Sequence, residues 1–162
     1  MKSTRTFLRA AVAVAALSPV GLSWAGGTHT VNVSATVTGT CVVNSGDSTL
    51  VFGTINPSAP GPISATPTSG TFRCTNGTAY TVSSNGGQNA SGGNYFMKKS
   101  GASDCTTASQ CIKYTFSSVT SGSGLGMANN ISFNVSASTT ATDYQNAEAG
   151  SYADVVTLTV AP

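Results

Sequence analysis

Residues 28–38 read Thr-His-Thr-Val-Asn-Val-Ser-Ala-Thr-Val-Thr, and the interpretation of the whole chain starts from this stretch. Every second position is apolar (Val31, Val33, Ala35 and Val37), and the residues between them are Thr, Asn or Ser. A period of two predicts a β-strand that buries one face and exposes the other. A strand of this kind, lying at the start of a domain, is able to complete the sheet of another copy of the chain.

The segment before this strand has the features of a secretion signal. Three basic residues precede an apolar run at 10–20, and Ser23-Trp24-Ala25 fits the small-x-Ala pattern of a cleavage site. We therefore expect residues 1–25 to be removed on export. A membrane anchor is the alternative, but the apolar run is short for a bilayer. Removing 25 of the 162 residues leaves 137, which is enough for one domain with a hydrophobic core.

The expected mature chain carries few charges. Four basic residues face five acidic ones, a net charge of −1, so the composition offers no basic patch for nucleic acid. Thr, Ser, Gly, Asn and Val are abundant instead, and these residues favour strands and turns over helices. No amphipathic helix is predicted.

Short apolar runs bounded by turn residues follow one another along the chain. Beyond residues 30–38, strands are predicted at 50–55, 70–74, 79–84, 95–98, 112–117, 131–135 and 152–160. Asn76-Gly77 is a tight hairpin signal between two of them. About eight strands in this spacing predict an antiparallel β-sandwich.

Four cysteines lie in the mature part, which for an exported chain indicates two disulfides. Three pairings are possible, and we favour Cys41–Cys74 with Cys105–Cys111. There is no Cys-x-x-Cys, and His29 is the only histidine, which disfavours zinc. We expect no metal and no cofactor.

The residues that could support catalysis are few. His29 falls on the polar side of the predicted strand, where an exposed strand residue is the simpler reading. Asp143 and Glu148 could form a carboxylate pair, but both lie in one Gly- and Ala-rich loop, which is typical of solvated acids. Nucleophile-elbow and phosphate-binding glycine patterns are missing from the sequence. We therefore expect that the protein is not an enzyme.

Several short motifs occur in a characteristic order. They are Thr40-Cys41, Phe52-Gly53-Thr54-Ile55, Phe72-Arg-Cys-Thr-Asn-Gly77 and the closing Gly150-Ser-Tyr152-Ala-Asp154. Together with the signal and the alternating strand, this set resembles the spore coat protein U domain family, which includes the major subunits of archaic chaperone–usher pili. The resemblance spans essentially the whole mature chain. Cys105 and Cys111 look like an addition to the common pattern.

The resemblance implies an incomplete immunoglobulin-like β-sandwich that lacks its last strand. Residues 26–38 would be the donor strand, with Val31, Val33, Ala35 and Val37 as the inserted side chains, and residues 39–162 the pilin domain. Gly39 is expected to be the hinge between them, because glycine gives the backbone freedom there.

The resemblance also implies partners and a location. The partners would be identical subunits head to tail, a periplasmic chaperone, an outer-membrane usher and a tip adhesin. The product would be a cell-surface pilus for attachment and biofilm formation. Two alternatives stay open: a self-contained secreted coat protein in which residues 28–38 fold back into their own domain, and a sugar-binding β-sandwich module.

Overall fold

The structure is a computed structural model that describes residues 26–44 and 46–162. The expected signal at 1–25 lies outside the described residues. The chain divides into two compact units, Met1–Ala35 and Thr36–Pro162. In the described part of the first unit, residues 26–35, the backbone forms neither strand nor helix. All the strands discussed below belong to the second unit.

The second unit is built from short strands, as a chain rich in Thr, Val and Gly favours. In chain order they are β1 (Cys41–Val43), β2 (Thr49–Val51), β3 (Ile63–Ser64), β4 (Thr66–Thr68), β5 (Thr71–Cys74), β6 (Ala79–Ser84), β7 (Tyr95–Lys99), β8 (Cys111–Ser117), β9 (Ser121–Ser123), β10 (Ile131–Ser132), β11 (Ser136–Thr139), β12 (Tyr152–Ala153) and β13 (Leu158–Ala161). A 3-10 turn at Ala108–Gln110 and a one-turn helix, α1 (Ala141–Tyr144), complete the fold.

The strands pair in four antiparallel sheets. The largest has the order β12-β7-β8-β11-β3, two have three strands each (β1-β5-β10 and β13-β6-β9), and β2 pairs with β4. Register is regular, with Tyr95 opposite Tyr114 and Cys41 opposite Cys74. The prediction of an all-β antiparallel fold is confirmed.

Several of the predicted strands are absent, shorter or broken in the structure. Residues 28–38 belong to no strand, the 50–55 strand ends at Val51, and residues 154–157 interrupt the predicted strand at 152–160. A segment with strand-like alternation forms a ladder only when a second backbone lies beside it. The sequence pattern therefore predicts which side chains alternate between two faces. It does not predict which segments have a neighbouring strand to pair with.

Asn134 divides the strand predicted at 131–135. Its φ of 48° is the only positive value at a non-glycine position among the described residues. Asparagine tolerates this left-handed conformation better than most residues. The residue separates β10 from β11, which lie in different sheets, so it marks the corner where the chain passes from one sheet to the other.

The one-turn helix α1 was not predicted from the sequence, which shows no amphipathic helical pattern. Thr140 precedes the helix, and its backbone N–H donates to Oδ2 of Asp143 at 3.3 Å while the two side chains also contact each other. This reciprocal arrangement is a capping box. It stabilises a single turn that is too short to show an amphipathic period.

Two apolar clusters form the core. The first contains Ala65, Met97, Ile112, Tyr114, Ala137 and Tyr144. The second contains Phe72, Cys74, Tyr80, Val82, Phe133 and Val135. Leu50 and Phe116 are partly buried and pack against both clusters. The core is therefore continuous from one sheet to the next, and Leu50 brings the segment after β1 onto it.

Candidate strand-binding groove

A cleft with an apolar floor lies between two segments that come from opposite ends of the domain sequence. It consists of two adjoining cavities of about 620 and about 720 Å³, which share Leu50, Phe52, Met97 and Tyr152 in their linings. We call residues 46–57 the first wall and residues 147–158 the second wall. The floor is formed by core side chains: Met97, Ile112, Tyr114, Phe116, Phe133, Val135 and Ala137.

Both walls present apolar side chains that are only half buried. Phe52 and Ile55 of the first wall pack against the first core cluster, as does Val156 of the second wall. Leu158 packs against the second cluster. Along the second wall, half-buried and exposed residues alternate strictly from 151 to 160. Both walls therefore carry apolar surface that a further chain segment could cover.

The backbone of each wall also has unused hydrogen-bonding groups. Within the described residues, no backbone hydrogen bond involves residues 52–55 or Val156. The neighbouring carbonyls of Val155 and Thr157 do have partners, since they accept from the amides of Gln88 and Asn85 at 3.0 Å. The second wall is thus paired on one side and unpaired on the other. Unpaired edges are the parts of a sheet that accept a new strand.

A polar contact fixes the second wall to the floor. The Tyr114 hydroxyl donates to Oδ2 of Asp154 at 2.6 Å, and Oδ1 of Asp154 accepts from the backbone N–H and the side-chain amide of Asn89 at 3.2 and 3.0 Å. Burial, followed by the hydrogen bond to the Asp154 carboxylate, raises the pKa of Tyr114 well above its ordinary value of 10.0. Tyr114 therefore stays neutral and keeps donating.

The other end of the second wall is held from outside the cleft. The Tyr152 hydroxyl donates to the carbonyl oxygens of Ser109 at 3.0 Å and Glu148 at 2.7 Å. Lys99 Nζ lies 2.6 Å from Oε2 of Glu148. Hydrogen bonds from Lys99 and then from Ser109 lower the pKa of the Glu148 carboxyl, while burial raises the pKa of the Tyr152 hydroxyl.

The predicted donor side chains are strongly exposed. Val31, Val33 and Val37 expose 70%, 89% and 81% of their surfaces, and Ala35 is also exposed. The polar residues between them are exposed too, so residues 26–40 are uncovered on both faces. His29 is exposed as well, in agreement with its reading as a surface residue. The donor role itself stays a prediction.

The structure gives Gly39 a different environment from the one expected of a free hinge. Its φ is not in the left-handed region, and a Cβ at this position would lie 2.8 Å from Oγ1 and 2.9 Å from Cγ2 of Thr78. Next to it, the carbonyl of Thr40 accepts from the amide of Thr75 at 2.9 Å. Close approach to Thr78 thus requires glycine here, and the chain is already attached to the domain at Thr40. The hinge role of Gly39 stays a prediction.

The cysteines are joined as Cys41–Cys74 and Cys105–Cys111, the pairing that the sequence favoured, with S–S distances of 2.03 and 1.97 Å. The first joins β1 to β5, and its Cys41 lies two residues after Gly39. The second closes residues 105–111, which we call the stapled loop. Cys74 is fully buried and Cys111 is nearly so.

The two carboxylates that could have suggested catalysis have separate structural partners. Asp143 caps α1, and Glu148 binds Lys99 and Ser109. Within residues 26–44 and 46–162, no cluster of His, Cys, Asp and Glu could hold a metal ion. None of the helices in the described part has the length and apolarity needed to cross a membrane.

The sequence predicts donor side chains, but it does not predict which residues line the cleft. Phe52 and Asp154 belong both to motifs and to predicted strands, and Met97 and Val156 belong to predicted strands alone. Two signals existed: the Phe-Gly after the first cysteine and the Gly-x-Tyr-x-Asp before the last strand both fall on the cleft walls. Their proximity depends on tertiary structure.

The fold and the cleft define an antiparallel β-domain with an open cleft between two unpaired edges. The Spore Coat Protein U domain matches residues 27–159, and the chain therefore belongs to this family. The resemblance inferred from the motifs is confirmed. None of the curated proteins matches the sequence significantly.

One similar solved structure is the CsuC–CsuE chaperone–tip adhesion subunit pre-assembly complex from the archaic chaperone-usher Csu pili of Acinetobacter baumannii. The identity is 23%, the TM-score is 0.39, and the match covers 77% of this chain and 40% of that chain. The chain thus corresponds to less than half of the length of that solved chain. A similarity of this strength does not establish a shared arrangement of strands.

Proposed function

We propose that this chain is a structural subunit of a chaperone–usher pilus, and that it polymerises by donor-strand exchange. Residues 26–38 of one copy would enter the cleft of the next and add a strand between its two walls. The observation that carries this proposal is the combination of an apolar cleft with two unpaired backbone edges and an exposed, alternating apolar segment in the same chain. Membership of the family supports it.

The dimensions of the two partners agree. Val31 to Val37 spans six residue steps, as does the second wall from Tyr152 to Leu158, and each is about 20 Å long in extended conformation. Side chains of one strand point to alternate faces, so the four apolar residues would face the floor while Thr, Asn and Ser face solvent. The backbone groups of residues 52–55 and Val156 would gain partners in the new strand.

The energetics of insertion are favourable. Burying a valine side chain contributes about 1.5–3 kcal/mol, and three of the four donor positions are valine. Satisfying the open backbone edges adds to this and removes a site of unspecific aggregation. A contact between a tail and a cleft is heterologous and does not close on itself, so repetition gives a fibre rather than a ring.

The same cleft explains the remaining partners that we propose. A domain with an uncovered cleft needs a temporary occupant during export, which would be a strand of a periplasmic chaperone. An outer-membrane usher would exchange that strand for the donor strand of the next subunit, and a tip adhesin would end the fibre. The assembled product would lie at the cell surface and serve attachment and biofilm formation, with no catalytic activity and no cofactor.

Assembly of the purified mature chain tests the proposal. We expect concentration-dependent filaments, visible by electron microscopy, in the wild-type chain and none in the Val31→Asp/Val33→Asp variant. The matched control is Asn32→Asp/Ser34→Asp, which places the same two charges on the opposite face of the strand and should still assemble. A wild-type chain that stays a stable monomer at every concentration would overturn the proposal and favour the self-contained coat protein or the sugar-binding module.

A further inference from the structure

The stapled loop binds the second wall of the cleft on the side that faces away from the cavities. Its Ser109 carbonyl accepts two hydrogen bonds from the wall, one from the Glu148 amide at 2.8 Å and one from the Tyr152 hydroxyl at 3.0 Å. The Ser109 hydroxyl donates to Oε1 of Glu148 at 3.0 Å. Among the described residues, none from 105 to 111 lines either cavity of the cleft. The loop therefore supports the cleft without being able to touch its occupant.

The loop is itself held rigidly on the central sheet. Cys111 is the first residue of β8, is buried, and lies opposite Lys98 of β7. The 3-10 turn fixes the backbone around Ser109, since the amide of Gln110 donates to the carbonyl of Thr107 at 3.0 Å. The disulfide to Cys105 ties the far end of the loop to the same strand.

The supported part of the wall has few other attachments. Residues 148–151 are all exposed. Apart from the bonds to Ser109, the segment is joined to the rest of the domain by three contacts. The Ser151 carbonyl accepts from the amide of Ser100 at 2.8 Å, Lys99 forms an ion pair with Glu148, and the Gln110 side chain also hydrogen-bonds the Glu148 carboxylate. The stapled loop, through Ser109 and Gln110, therefore provides most of the contacts of Glu148.

We propose that Ser109, Glu148 and Tyr152 are positioning residues for donor-strand binding, and that the Cys105–Cys111 disulfide fixes the loop that carries Ser109. The inference rests on the proposed function. It adds that the contacts between the stapled loop and the second wall keep one end of the cleft at a fixed width. A wall that is already ordered loses less conformational entropy when a strand binds. Release of the wall should therefore slow binding and speed dissociation of the donor strand.

Binding of a fluorescent peptide of residues 26–38 tests this inference. The acceptor is the full mature chain carrying Val31→Asp/Val33→Asp, whose cleft stays free because its own tail cannot insert. Into it we introduce Tyr152→Phe, Glu148→Gln or Cys105→Ser/Cys111→Ser. The matched control is Tyr95→Phe, which removes a ring hydroxyl that contacts Ser84 at 2.6 Å and has no contact with the loop.

We expect the peptide to dissociate about threefold to tenfold faster from the Tyr152→Phe and Glu148→Gln variants than from the Tyr95→Phe control, as the loss of one or two hydrogen bonds predicts. Equal dissociation rates in all folded variants, with only the melting temperature lowered, would overturn the inference and leave the disulfide as a stability element. If the Cys105→Ser/Cys111→Ser variant does not fold, the dissociation rates of the Tyr152→Phe and Glu148→Gln variants test the inference. Absence of peptide binding by the acceptor itself would instead contradict the proposed function.

Discussion

The Tyr114 hydroxyl donates a 2.6 Å hydrogen bond to Oδ2 of Asp154 and thereby joins the floor of the cleft to its second wall. Tyr114 lies on β8, the middle strand of the largest sheet, and Asp154 lies in the gap between β12 and β13. The wall therefore keeps its place beside the floor although it has no ladder partner on the cleft side.

This contact predicts a loss of stability at alkaline pH. The pKa of Tyr114 is raised in the folded chain, so above pH 10 the unfolded chain releases this proton while the folded chain retains it. The unfolded state then binds fewer protons, and stability falls as pH rises, by up to about 1.4 kcal/mol per pH unit from this residue. We expect the Tyr114→Phe variant to lack this part of the slope when the free energy of unfolding is measured between pH 9 and 11. An unchanged slope in that variant would show that Tyr114 ionises as easily in the fold as outside it.

A second prediction concerns the apolar lining. Leu158 is half buried and lines the cleft, whereas its neighbour Thr159 is exposed on the opposite side of β13. We expect Leu158→Ala to weaken binding of the peptide of residues 26–38 about tenfold, because the apolar area that the peptide would cover is lost. Thr159→Ala should leave the dissociation constant, measured by fluorescence anisotropy, within about twofold. Equal effects of the two substitutions would argue against strand binding in this cleft.

The two disulfides are predicted to differ in their contribution to stability. Cys41 and Cys74 are 33 positions apart in sequence, whereas Cys105 and Cys111 are 6 positions apart. Replacing the first pair by Ser therefore opens a much longer loop than replacing the second pair. Chain entropy predicts losses of about 4 kcal/mol for the first pair and about 2 kcal/mol for the second. Urea unfolding of the two double variants measures the difference, and a larger loss for the short loop would contradict the chain-entropy estimate.

A further prediction distinguishes two roles of Gly39: a flexible hinge, or a residue small enough to pack against Thr78. Gly39→Ala would place Cβ 2.8 Å from Oγ1 of Thr78, so we expect it to lower the free energy of unfolding by about 1 kcal/mol or more. Thr78→Ala in the same chain should restore most of the loss, because the side chain that clashes is removed. If Gly39→Ala instead impairs filament assembly and Thr78→Ala brings no recovery, backbone freedom at Gly39 is what assembly requires.

Properties that depend on near neighbours along the chain could be predicted from the sequence. The alternation of Val31, Val33, Ala35 and Val37, the all-β composition and the family motifs could all be recognised from local patterns, because strand side chains alternate with a period of two wherever the strand ends up. Four cysteines allow three pairings, and the one favoured from the sequence is the one in the structure.

Which strand edges are open, and which contacts hold them, depends on the packing of the folded chain. Residues 52–55 and Val156 have strand-like sequences, yet they lack ladder partners, and nothing in their own residues distinguishes an unpaired edge from a paired one. The bond from Ser109 to Glu148 joins residues 39 apart in sequence, and that from Tyr114 to Asp154 joins residues 40 apart. Contacts between residues so far apart in sequence result from the packing of sheets around a shared core. Local sequence patterns therefore cannot predict them.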